Sequence, residues 1–333
     1  MDNSVVITGY GISCSDSSFI SDSLHDNMYV GHVDDKLGEF WDLNQFRRMD
    51  NFSKHALLAA KLAQLSSLPH LNTIDSSRLG TIFSTVWGPM VTIDKYMNPV
   101  IEKNPLQASP LLFPYTVTNA AVGIVARLLE AKGVSTMLTG CCPLQYSYEI
   151  LKQNKADIII TGGVDTVNDL FYKETEEDKF RDSFSGSAAI VMERKETALK
   201  RGATILGEFC NYETLHCRNL EKLENLGTKS VARLLENLGK NNKQVTKVLN
   251  IFDTGDNDEK IHSSLQKILH NNGIIHKMEE SFQGISSSLG AQTVLNSIKA
   301  LHSIMNNKKE FILGFSMLYG GNFNMHIFQG VDH

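Results

Sequence analysis

Two hydrophobic periods alternate along this chain. Val5-Val6-Ile7-Thr8-Gly9-Tyr10-Gly11 is a β-branched run closing in a glycine-punctuated turn, and it predicts a first strand. Residues 51–65 repeat Ala, Leu and Lys at helical spacing after an Asn-Phe-Ser start, which predicts a helix. Strands are predicted at 79–85, 133–139 and 156–163, the last leaving through Gly162-Gly163. Between them, 119–129 is small and apolar nearly all round, a composition expected of a helix buried on every side. A further helix is predicted over 143–154, with Pro143 in its first turn. Strands at 187–193 and 203–209 flank a short basic helix at 196–201.

The pattern then restarts. A helix at 229–238 leads to a strand at 248–252, a Ser-rich turn at Ser286 to Ser288 opens a helix at 290–304, and a last strand covers 311–315. Strands alternate with helices throughout, so the fold class is α/β. No Pro- or Ser-rich linker separates the halves, and a soft boundary falls near Arg201–Gly202, dividing 1–201 from 202–333.

Composition excludes several classes. The 333 residues are 42% hydrophobic and 21% charged, with a net charge of −5 and no basic stripe, so nucleic acid is not an expected partner. Apolar runs such as Ile158-Ile159-Ile160 are too short to span a bilayer, and the start Met1-Asp2-Asn3-Ser4 lacks the basic region of a signal peptide; no membrane association is expected. Cysteines at 14, 141, 142, 210 and 217 give neither a disulfide framework nor a metal pattern, and a reducing, cytoplasmic setting is expected.

Several segments, in order from end to end, resemble the β-ketoacyl-acyl-carrier-protein synthases (ketosynthases of type II) of the thiolase superfamily. Phe113-Pro114-Tyr115-Thr116-Val117-Thr118-Asn119-Ala120-Ala121-Val122-Gly123 is similar to the stretch before their nucleophile, and 133–142 to the strand carrying their active cysteine. Ala156 to Gly163 looks like their following strand, and Arg181-Asp182-Ser183-Phe184-Ser185-Gly186-Ser187-Ala188-Ala189 is similar to their R-D-G-F-x-x-G-E-G-A stretch without its acidic residue. Ser288-Leu289-Gly290-Ala291 echoes T-L-G-A, and Tyr319-Gly320-Gly321-Asn322 echoes the closing F-G-G-T loop. The resemblance implies a thiolase-like fold of two related halves in α-β-α-β-α layers.

The chain departs from that family where the chemistry sits. Decarboxylative condensation needs a thiolate to hold the acyl chain and two histidines to stabilise the enolate. Phe252 stands where the first histidine belongs, Ser287 where the second does, and Phe282 where the family has a lysine. Losing one oxyanion donor costs on the order of 10²–10³ in rate, and here both are missing. Thr139-Gly140-Cys141-Cys142-Pro143 resembles the nucleophile turn: counting from Thr-Gly favours Cys141, counting from Gly133 favours Cys142. A helix N-terminus would lower the pKa of a thiol there, whereas a small buried cysteine is inert packing. The distances from this turn to Gly163, and from Gly163 to Arg181, are shorter than in the family, and the second holds the acidic run Glu174 to Asp178, read as a solvated loop.

A ketosynthase outline without the histidines resembles the chain-length factor, the degenerate sister subunit that pairs with an active ketosynthase in type II polyketide and aryl-polyene pathways. That resemblance implies a heterodimer in which the strand around Val134, Met137 and Leu138 pairs edge to edge with the partner. It makes Leu111, Leu112, Phe113 and Tyr115 candidates for the acyl-tunnel wall, with core packing as the alternative, and places Tyr319 at the family's gate. No cofactor of its own is implied; the phosphopantetheine arm would arrive on an acyl carrier protein. The alternative function is a cysteine-dependent acyltransferase or thioesterase-like enzyme acting on carrier-protein thioesters through Cys141 or Cys142. A free-standing homodimer binding an acyl ligand or carrier protein is a third reading.

Overall fold

The computed structural model describes residues 4–15, 27–69, 74–167, 185–239, 245–252, 258–274, 278–280, 289–318 and 321–331. Its strands are β1 (Val5–Cys14), β2 (Met28–Val30), β3 (Leu79–Thr85), β4 (Ser135–Thr139), β5 (Ile158–Asp165), β6 (Gly186–Arg194), β7 (Gly207–His216), β8 (Lys247–Phe252), β9 (Met278–Glu280), β10 (Phe311–Leu318) and β11 (Asn322–Gln329). The helices are α1 (Val33–Leu37), α2 (Asn51–Ser66), α3 (Met90–Glu102), α4 (Asn119–Leu128), α5 (Pro143–Lys152), α6 (Lys195–Lys200), α7 (Leu223–Asn237), α8 (Asp258–Asn271) and α9 (Gln292–Asn306).

Each hydrophobic run forms its element for a local reason. The β-branched residues of β1 and β5 suit a strand packed on both faces, and every residue of both strands is buried. Asp50 caps α2 by accepting the Ser53 N–H at 3.0 Å. Pro143 starts α5, where its missing N–H costs nothing.

One mixed sheet runs β4-β3-β5-β6-β1-β7-β11-β10-β8-β9, with β2 beside β1. The two ends of this path mirror each other. Leaving β2 aside, each half reads inward as its third, second, fourth, fifth and first strand, with two parallel pairings followed by two antiparallel ones. The halves join where Val5, Val6 and Ile7 of β1 pair with Phe209, Glu208 and Gly207 of β7.

Packing follows this topology. Helices α5 and α9 share the central apolar cluster, where Leu144 and Leu151 meet Ile298 and Leu301 between the two halves of the sheet. Helices α2 and α4 cover the outer face of the first half, and α7 and α8 that of the second. The result is the expected α-β-α-β-α layering. Among the described residues no helix is long and apolar enough to cross a membrane.

Several expectations need correction. Helix α4 is not buried all round: Ala121, Val122 and Val125 face the core, whereas Gly123 and Arg127 are exposed. Its small residues therefore leave one side open. Strand β7 begins at Gly207 and continues to His216, because 203–206 form a crossover held by the Leu206 N–H on the Ile7 carbonyl (2.8 Å) while the polar continuation pairs with β11. The last strand is β11, whose alternating Asn-Phe-Asn-Met-His-Ile-Phe is buried on both faces. Helices α3 and α8 were also not legible, and Pro99 lies inside α3. Glu174 to Asp178, Phe282, Ser287 and Tyr319 lie outside the described residues.

Candidate functional site

Three alternate residues of β11 build the wall of the cysteine turn. Asn322 Nδ2 donates to the Gly140 carbonyl at 2.8 Å, Asn324 Oδ1 accepts from Gln145 Nε2 at 3.2 Å, and His326 Nε2 lies 3.4 Å from Cys142 Sγ. The period of a strand puts all three on one face, while Phe323, Met325 and Ile327 enter the core of the second half. Thr214 Oγ1 of β7 donates to the same Asn324 oxygen at 3.4 Å.

The turn itself gives the two cysteines opposite environments. Gly140 takes φ of 65°, a conformation glycine adopts without strain, and it turns the chain from β4 into α5. Cys141 is exposed on this turn, whereas Cys142 is the N-cap of α5 and buried. Burial pushes the Cys142 thiol up to about 12, outweighing the downward pull of the Gln145 and Leu144 backbone amides. Burial likewise pushes His326, enclosed by Phe209 and Phe328, down to about 3. Proton transfer from such a thiol to such an imidazole is steeply uphill. The helix N-terminus does not deliver the lowered thiol pKa expected of it, because desolvation is the larger effect.

Sequence reasoning found the cysteine turn but missed two residues around it. His326 lies 184 positions from Cys142, and the visible signal was a histidine in an otherwise apolar alternation. Asp165 went unread because the predicted strand stopped at Gly163, whereas β5 runs on to Asp165. It accepts from the Thr85 hydroxyl and from the Val86, Trp87, Gly88 and Gly290 N–H groups, at 2.5–3.0 Å. One carboxylate thus fastens the turn after β3 to the Leu289-Gly290-Ala291 segment ahead of α9. Burial pushes its pKa up against the pull of these donors.

Of the two positions at which the resemblance expects histidines, Ser287 lies outside the described residues. Phe252 ends β8, its backbone paired with Met317. The tunnel candidates are not core residues: Leu111 and Phe113 are 52% and 58% exposed, and Leu112 and Tyr115 are half-buried. Val134, just ahead of β4, and Met137 and Leu138 within it are half-buried; β4 pairs with β3 on one side and has no strand on its other side among the described residues.

The fold is found in known proteins. A type II polyketide acyl-carrier protein complex with its ketosynthase superposes with a TM-score of 0.77 at 16% identity, covering 99% of this chain and 100% of that one. The ishigamide ketosynthase/chain length factor gives 0.76 at 12% identity, with the same coverage. The chain has the ketosynthase fold. A β-ketoacyl synthase from Burkholderia phymatum gives 0.74 at 15% identity.

In sequence, this ketosynthase-fold chain is similar to curated 3-oxoacyl-acyl-carrier-protein synthases. It is 25% identical over 201 residues to synthase 2 of Synechocystis, and 27% over 234 residues to chloroplastic synthase I of Arabidopsis thaliana. Synthase 2 of Staphylococcus aureus is 28% identical over 199 residues. These matches cover 52–60% of this chain and 48–49% of the relatives, so the chain matches about half the length of those relatives. No family model matches it.

Proposed function

We propose that the chain is a non-catalytic chain-length factor. It pairs with an active ketosynthase and shapes the acyl tunnel in a type II polyketide system of the aromatic or aryl-polyene kind. The observation that carries this reading is a group of exposed apolar side chains together with an edge strand, β4, that has no neighbour on its outer side among the described residues. Most exposed large hydrophobic side chains lie between Ile93 and Tyr146, among them Met97, Ile101 and Leu106 on or after α3, and Leu111, Phe113 and Val117 before α4. A monomer rarely leaves such a patch uncovered, and a bare strand edge invites another strand. Together they suit a large obligate interface.

The closed thiol of Cys142 supports the same reading for that candidate, while Cys141 is exposed and is the thiol that the acyl-transfer test addresses. A nucleophile must be a thiolate and must be reached, and Cys142 is neither. The repeated strand order supports treating 1–201 and 202–333 as two related halves. The acyl carrier protein would supply its phosphopantetheine arm to the partner's cysteine, and this chain would need no cofactor.

Intact-protein mass after mixing the chain with acyl-loaded carrier protein and an active ketosynthase tests the proposal. The expected result is acyl mass on the ketosynthase and none on this chain. Phe113→Asp, which leaves an exposed position exposed, should end co-elution with the ketosynthase without changing the unfolding midpoint. If this chain gains the acyl mass and Cys141→Ala or Cys142→Ala abolishes the gain, the protein is an acyltransferase and the proposal fails.

A further inference from the structure

A cavity of about 380 Å³ lies between the start of α2, the side of α3 and the loop before α4. Arg47, Arg48 and Lys95 line it, and none takes part in an ion pair found among the described residues. Phe52, Val91, Leu111 and Leu112 supply its apolar wall. Asp50 is also in the lining. Its carboxylate is engaged by the Ser53 N–H and the Thr92 hydroxyl, both at 3.0 Å, so it caps α2 and offsets one of the three cations.

The second observation is Thr166. It lines the same cavity, is 2% exposed, and its buried hydroxyl has no hydrogen-bond partner among the described residues. A buried hydroxyl left unpaired costs about 1–3 kcal/mol, so such a group marks a place where something polar belongs. The site combines unpaired cations, an orphan hydroxyl and an apolar wall in a volume suited to a small molecule.

We propose that this cavity binds an amphiphilic phosphate monoester. Two positive charges remain after Asp50 is counted, and a phosphate monoester carries about −1.5 to −2 at pH 7 with three acceptor oxygens. Arg47 and Arg48 match those oxygens with planar forks, Lys95 adds a point charge, and the Thr166 hydroxyl donates from the floor. Phe52, Leu111 and Leu112 take the ester's alkyl part. Leu111 belongs both to this cavity and to the apolar face assigned to the partner, so binding is measured on the free chain, where its failure is distinct from failure to pair.

Titration of the full chain with hexyl phosphate, inorganic phosphate and hexanol, read by calorimetry, tests it. Saturable binding of hexyl phosphate is expected, with inorganic phosphate and hexanol each at least about tenfold weaker. Arg48→Ala and Lys95→Ala should each weaken it about tenfold, the worth of one charge-assisted hydrogen bond. Thr166→Val should weaken it severalfold while leaving the free chain at least as stable, since it deletes an unpaired hydroxyl. Competition by phosphatidic-acid vesicles would name a lipid headgroup as the source of the ester, and absence of competition a soluble one. The proposal is overturned by no saturable binding, by equal binding of inorganic phosphate or hexanol, or by affinity indifferent to Arg48→Ala and Thr166→Val.

Discussion

Gly163 of β5 lies directly against the backbone of Gly290, so close that a Cβ on Gly163 would stand 1.9 Å from the Gly290 carbonyl oxygen. Two glycines from opposite halves of the chain thus let a strand and the segment opening α9 touch backbone to backbone, beside the Asp165 carboxylate that binds the Gly290 N–H at 2.7 Å. The close approach explains why glycine is needed at 163; at 290 a Cβ would stand 2.7 Å from the Asp165 carboxylate and 2.9 Å from the Thr85 Cα.

Gly163→Ala should therefore destabilise the protein by about 3 kcal/mol, because rigid backbone has to move rather than a side-chain tip. Urea unfolding of the variant measures it. An unchanged midpoint would show that the two segments are not held this closely.

The two adjacent cysteines should differ sharply in reactivity. Cys141 is exposed, and Cys142 is buried with its thiol pushed up to about 12. Peptide mapping after iodoacetamide treatment at neutral pH should show Cys141 alkylated at least about a hundredfold faster than Cys142. Comparable rates would reopen Cys142 as a nucleophile.

Stability should fall on the acid side for a definable reason. Burial holds His326 at about 3 and His55 at about 4 in the folded chain, against 6.5 for an ordinary histidine. Both are neutral in the native state, so the unfolded chain binds more protons as pH drops. Their contribution is complete above pH 6.5 and is lost as pH falls toward the folded values, on the order of 3–5 kcal/mol for each histidine at the end of its range. His326→Phe, placed among Phe209 and Phe328, should flatten part of that limb in unfolding free energies measured from pH 8 to pH 4.

At the junction of the halves, Arg201 meets Glu193 at 2.6 Å, with side chains 5% and 0% exposed. The same guanidinium donates to the Ser67 hydroxyl at 2.7 Å. Arg201→Ala leaves a buried carboxylate uncompensated and should cost about 3–5 kcal/mol. The double variant Arg201→Met, Glu193→Leu should recover much of that loss in chemical denaturation, since it leaves no unpaired charge.

Local pattern carried much of this fold. The β-branched run at Val5, the Ile158-Ile159-Ile160 strand and the Pro143 helix start are set by short-range rules of side-chain shape; the helix start stands as read, whereas β1 runs on through Gly9 and Gly11 to Cys14 and β5 through Gly162-Gly163 to Asp165, so the glycines read as strand ends lie inside the strands. Where periodicity was weak, the reading fell short: β11 alternates Asn and His with apolar residues, and its polar members gain their place only from the neighbours opposite. Helix α4 shows the reverse error, since small apolar residues do not reveal whether the same chain or a partner covers them.

The sequence by itself determined the class of fold and the order of its motifs. Only the tertiary structure decided that Cys142 is sealed against His326, that Asp165 joins two distant turns, and that Thr166 shares a cavity with Arg47, Arg48 and Lys95. The reason is physical. Residue types and spacing act over a few positions, whereas burial, and with it every shifted pKa and unpaired polar atom, depends on which strands the sheet brings side by side.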